Sequence, residues 1–86
     1  MHVTVISPER ALFDGAAVAV VAPAFDGLVG ILPRHAPFVT LLGEGVLRVR
    51  QGTAGGAATG VFRVAGGFLQ VVGDTVRVVA DRAESS

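Results

Sequence analysis

Ser7, Asp26 and His35 are one formal way for this chain to assemble a hydroxyl nucleophile, an orienting acid and an imidazole base. No motif places them together, and Ser7 precedes a proline in a turn, so nucleophilic catalysis is not the expectation. A metal centre fares no better: His2 and His35 stand in unrelated contexts and there is no cysteine, which leaves no ligand spacing. The run Gly52 to Gly60 has the bare amides of a phosphate cradle. It lacks the lysine and the following helix that such a cradle needs, and therefore reads as a hairpin tip. Glu9, Asp14, Asp26, Glu44 and Asp74 all fall at turns, where carboxylates serve backbone bonding and solvation. Arg48, Arg50, Arg63 and Arg77 are the outward members of alternating segments; on neighbouring strands they would form a basic stripe able to meet an acidic partner.

Composition narrows the chemistry further. The chain has 86 residues, 51% hydrophobic and 16% charged, with seven acids balanced by seven arginines. Lys, Cys, Asn, Tyr and Trp are absent. That removes disulfides, thiolate chemistry, Schiff bases and lysine-borne cofactors. Zero net charge without Tyr or Trp argues against nucleic acid, whose binders carry a basic face and stacking aromatics. The first residues lack a basic and apolar leader pattern, and the most apolar run, Ala16 to Phe25, is interrupted by Pro23 and shorter than the ~20 residues of a membrane helix. A soluble single domain over residues 1–86 is expected, with no catalytic residue, metal or cofactor.

The elements that must position any site are strands. Apolar residues recur with a period near two in short runs cut by Gly, Pro and Asp. Strands are expected over His2 to Ile6, Arg10 to Phe13, Ala17 to Ala22 (buried on both faces), Leu28 to Leu32, Val46 to Arg50, around Phe62 to Val64, Phe68 to Val72 and Thr75 to Ala80. Val3, Val5, Leu47, Val49, Phe62, Val64, Val76 and Val78 are the inward positions. Asp14-Gly15 is expected to end the second strand, Gly66-Gly67 to make a turn or bulge, and Asp81 to Ser86 to start a helix. The fold class is all-β, a two-sheet sandwich or flattened barrel of about ten short strands.

The segment Arg34 to Leu42 is irregular and apolar, and Pro37 biases Ala36 away from helix. It is expected to be a packed loop or bent edge. His35 within it has two readings: a packed imidazole with one satisfied ring nitrogen, or a partner contact. Pro33, Arg34, His35, Pro37 and Phe38 concentrate rigid and apolar groups, which is how binding loops on a stiff scaffold are built. On the residues alone the chain reads as an all-β binding or structural module, with a small adaptor for a peptide or small ligand as one version of it.

The ordered segments Ser7-Pro8-Glu9-Arg10, Val21-Ala22-Pro23, Gly27 to Pro37, Gly45-Val46-Leu47-Arg48, Ala65-Gly66-Gly67-Phe68-Leu69-Gln70-Val71 and Val78 to Glu84 together resemble the epsilon subunit of F-type ATP synthases. The resemblance covers essentially the whole chain. It implies a sandwich of about ten strands on the central stalk, binding the gamma subunit and the membrane c-ring beneath the catalytic head. There it couples proton-driven rotation to ATP synthesis without chemistry of its own. It implies a peripheral place on the cytoplasmic face of the bacterial plasma membrane, held through the complex. The gamma and c-ring contacts implied are Leu28, Val29, Pro33, Arg34, His35, Pro37, Phe38 and Leu42, with His35 on the family's His before Ala-Pro. Leu28 stands where many bacterial members carry an acid, and Arg34 where glycine or asparagine is usual. Family members commonly continue into two helices that inhibit ATP hydrolysis; the chain stops at Ser86, so a short form without that helical domain is the expectation.

Overall fold

Alternation becomes strand wherever a neighbour can accept the ladder. The computed structural model describes residues 1–34, 36–52 and 59–85. Among them eight strands form: β1 (His2–Ile6), β2 (Ala11–Ala16), β3 (Ala19–Ala24), β4 (Gly27–Ile31), β5 (Phe38–Leu41), β6 (Glu44–Arg50), β7 (Thr59–Val72) and β8 (Thr75–Ser85). They pair in the order β2-β1-β8-β7-β6-β3-β4, with β5 added to β7. All pairings are antiparallel except β1 with β8.

Two layers arise because β7 and β8 each change face partway along. In β7 the buried residues are Phe62 and Val64, then Leu69 and Val71, a switch from even to odd positions. The switch falls at Gly66 and Gly67, whose φ angles of 72° and 102° suit glycine. A Cβ on Gly67 would lie 2.0 Å from the Val79 carbonyl oxygen, so the two strands could not approach there with any other residue. On β8, Val76, Val78 and Ala80 face inward, whereas beyond the corner Arg82 and Glu84 are exposed and Ala83 packs on the core. One layer is thus β2, β1 and the first half of β8, with the second half of β7 and β5. The other is the remaining halves with β6, β3 and β4. Val3, Val5, Leu69, Val71, Val76 and Val78 from the first layer meet Val20, Ile31, Leu47, Val49, Phe62 and Val64 from the second in one core. No polar side chain is buried among the described residues.

Several expectations change. The glycine pair bends one long strand rather than separating two, and this merging contributes to eight strands instead of about ten. Asp81 to Ser85 is strand, not helix, because Arg82, Ala83, Glu84 and Ser85 pair with Ala65, Val64, Arg63 and Phe62. Asp14-Gly15 does not end β2: both residues stay in register, opposite Thr4 and Val3. β3 is not buried on both faces throughout, since Val21 is exposed where it lies opposite Gly30 and Arg48. Pro23 is tolerated in β3 because the β3–β6 ladder has already ended at Val21–Arg48, and Gly45 leaves room for its ring. The hairpin tip expected over Gly52 to Gly60 lies largely outside the described residues.

Candidate interaction surface

Strand alternation places every second residue of the first layer outward, and there the sequence is apolar where a solvated face would be polar. Ile6 lies opposite Val79, Val79 opposite Phe68, and Phe68 opposite Leu41. These four side chains form a row across β1, β8, β7 and β5 on the face away from the core. Phe68 is 38% exposed and Leu41 61%. Val39, two residues from Leu41 and on the same face, is exposed as well. The row continues onto the next hairpin, because the Phe25 amide donates to the Leu41 carbonyl at 3.1 Å. Phe25 is exposed at that turn, and Leu28, one residue into β4, is 76% exposed. Large apolar groups gathered in this way form an exposed patch of the kind found at interaction sites.

The sequence-predicted contacts do not form one loop. Leu28 sits at the Phe25 end of β4, whereas Pro33 and Arg34 follow its other end, where Arg34 lines a crevice with Met1, Gly73, Asp74 and Thr75. Pro33, Arg34 and Pro37 are exposed. Val29 and Phe38 are half-buried and pack on the core. Leu42 is 5% exposed, bridged to Ala24, and its amide donates to Gly67 O at 2.9 Å. It supports the surface from beneath and has no face to offer a partner. His35 lies outside the described residues. Residues Arg34 to Leu42, expected as a loop or bent edge, contain strand β5, which borrows its ladder from β7.

Phe25, Val39, Leu41 and Phe68 were not singled out by sequence reasoning, although a signal was available. Leu41-Leu42 and Phe68-Leu69 are adjacent apolar pairs inside alternating strands, so one member of each must face outward.

The arginines divide between the layers. Arg48, Arg50 and Arg63 share the outer face of β6 and β7, where Arg48 lies opposite Val61 and Arg63 opposite Val46. Arg82 joins them from β8, and Arg63, Arg82, Glu44 and Glu84 edge a shallow depression of about 380 Å³. Arg77 does not belong to this stripe: it faces out from the other layer, between Thr4 and Gln70. The Ser7 hydroxyl is spent on its own turn, donating to Glu9 at 3.2 Å and to the Arg10 carbonyl at 3.3 Å. Asp26 lies on the β3–β4 turn, beyond the full Leu41–Phe68–Val79–Ile6 row from Ser7, so the two cannot form a dyad.

The chain is a β-sandwich with an apolar row on one outer face. The family model described as "ATP synthase, Delta/Epsilon chain, beta-sandwich domain" matches residues 1–86, and the chain belongs to that family. It is 42% identical over 81 residues to an ATP synthase epsilon chain of Leptospira borgpetersenii serovar Hardjo-bovis (strain JB197), covering 94% of this chain and 61% of that protein. With an ATP synthase epsilon chain of Caulobacter vibrioides it shares 40% identity over 83 residues, covering 96% of this chain and 92% of that one. The chain thus spans about three-fifths of the Leptospira relative and nearly all of the Caulobacter one. Among solved structures, a chain in the cryo-EM structure of the Euglena gracilis mitochondrial ATP synthase, OSCP/F1/c-ring in rotational state 1, has the same fold. The TM-score is 0.84 at 21% identity, over 96% of this chain and 51% of that one.

Proposed function

We propose that this chain is a rotor subunit of an F-type ATP synthase, docked on the gamma subunit and the c-ring of the central stalk, where it couples ion-driven rotation to ATP synthesis. The observation that carries the reading is the outward apolar row Ile6–Val79–Phe68–Leu41 on a member of the delta/epsilon sandwich family. Its part in the synthase is mechanical, and catalysis belongs to the head. Torque is passed on without slip only by a body that resists shear; a core packed to crystal-like density, with two long strands shared between both layers, is such a body. Two ends of the sandwich are available for two partners. The Phe25–Leu28 hairpin and the apolar row form one surface, and the exposed Pro33, Arg34 and Pro37 mark the other. In this role the chain is peripheral, held at the cytoplasmic face of the bacterial plasma membrane by the complex alone.

Co-purification tests the reading. The chain, expressed with gamma and the c-ring of its own synthase, is expected to elute as a stoichiometric complex with them. A chain that elutes alone under conditions where gamma and the c-ring hold together contradicts it and favours an independent adaptor.

A further inference from the structure

Five glycines among the described residues adopt positive φ, at positions 27, 52, 66, 67 and 73. One residue that is not glycine does the same: Arg34, with φ of 68°. The left-handed region crowds a Cβ against the carbonyl oxygen, and asparagine or glycine fills it at lower cost. Pro33 precedes Arg34 in the same turn, an arrangement in which glycine or asparagine is the usual third residue. The backbone therefore favours a residue that the sequence does not supply.

Among the described residues no ion pair or side-chain hydrogen bond of Arg34 offsets that choice. Arg34 is exposed, and no carboxylate of the described residues lies within ion-pair distance of it. Asp74 edges the same crevice, but its carboxylate faces the Met1 ammonium at 3.7 Å. Met1, Ile31, Leu32, Val71 and Val76 make the crevice beside Arg34 largely apolar. Leu32 is exposed two residues before, and Pro33 and Pro37 each fix their own φ on either side of it. A guanidinium presented beside an exposed leucine and next to a proline has the make-up of an interface anchor, since apolar neighbours exclude water from the pair it forms.

We propose that Arg34 recognises a carboxylate on the protein docked against this end of the sandwich, and that its left-handed backbone is strain tolerated to present it. The inference rests on the stalk reading and deepens it by assigning the chemistry of one contact. A protein carboxylate is favoured over a lipid phosphate because membrane attachment by charge needs several cations, whereas one planar fork suffices for one carboxylate.

The test compares the full chain with Arg34→Gly, Arg34→Asn and Arg34→Glu, reading thermal midpoint and affinity for a gamma–c-ring subcomplex lacking this subunit. Arg34→Asn and Arg34→Gly are expected to keep or raise the midpoint, by up to about 4 °C. They are also expected to weaken binding about tenfold or more, and Arg34→Glu to weaken it further. Wild-type affinity in the Asn and Gly variants would overturn the proposal, as would a midpoint several degrees lower, which would mean that Arg34 serves the fold. Phosphatidylglycerol vesicles are expected to bind neither wild type nor variants; vesicle binding that depends on Arg34 would reassign the contact to lipid. Failure of the wild-type chain to bind the subcomplex would remove the stalk reading itself, a result distinct from binding that ignores position 34.

Discussion

At the scale of single residues, the fold depends on a few positions that tolerate no alternative. Gly67 combines a φ of 102° with a backbone oxygen 2.0 Å from where a Cβ would stand. Gly67→Ala is accordingly expected to cost more than about 4 kcal/mol and to leave little folded protein in a urea titration. Gly73 has a φ of 58° but open space around it, so Gly73→Ala is expected to cost only about 1 kcal/mol in the same measurement. The contrast separates steric exclusion from dihedral preference. Leu47 is fully buried at the centre of the core, and Leu47→Ala is expected to destabilise by about 2–5 kcal/mol. The spread between the glycine variants is the sharper result, because a loosely packed corner would give both the smaller value.

At the scale of elements, the apolar row joins strands that are distant in sequence, and its variants should act on docking rather than on folding. Val39→Ser and Leu41→Ser remove exposed apolar groups and are expected to change stability by less than about 0.5 kcal/mol. The pair together is expected to weaken co-purification with gamma and the c-ring by tenfold or more; unchanged binding would place the docking face elsewhere. This row also marks the limit of what could be read locally. The strict alternation of Val46 to Arg50 displayed β6 directly, and Leu47 and Val49 are buried as the period requires. The face switch in β7 and β8 could not be read in that way, because it depends on pairing between residues distant in sequence, Ala65 with Arg82 and Gly67 with Ala80. Asp81 to Ser85 has weak strand propensity and is held extended by Phe62 to Ala65. Leu42, a contact implied by the family resemblance, is 5% exposed: in Leu41-Leu42 the pattern shows that one side chain faces out, and only the pairing with Phe68 shows which. Pro33, Arg34 and Pro37 are exposed, which departs from the packed loop expected for Arg34 to Leu42 and agrees with the reading of these residues as a binding loop.

At the scale of the whole molecule, zero net charge and a small core set the terms on which the protein works. With no polar side chain buried among the described residues, the core is purely apolar, and the long strands β7 and β8 tie both layers into one stiff unit. A body of this kind can transmit force between two neighbours without doing chemistry on either. The membership in the delta/epsilon sandwich family places it among proteins that include ATP synthase epsilon chains. The most direct test of its role is ion-gradient-driven ATP synthesis by the synthase reconstituted into vesicles with and without this subunit. The account predicts that synthesis falls at least about tenfold without the chain and returns on adding it back, while the Val39→Ser, Leu41→Ser variant restores it poorly. Full coupled synthesis in its absence would contradict the account.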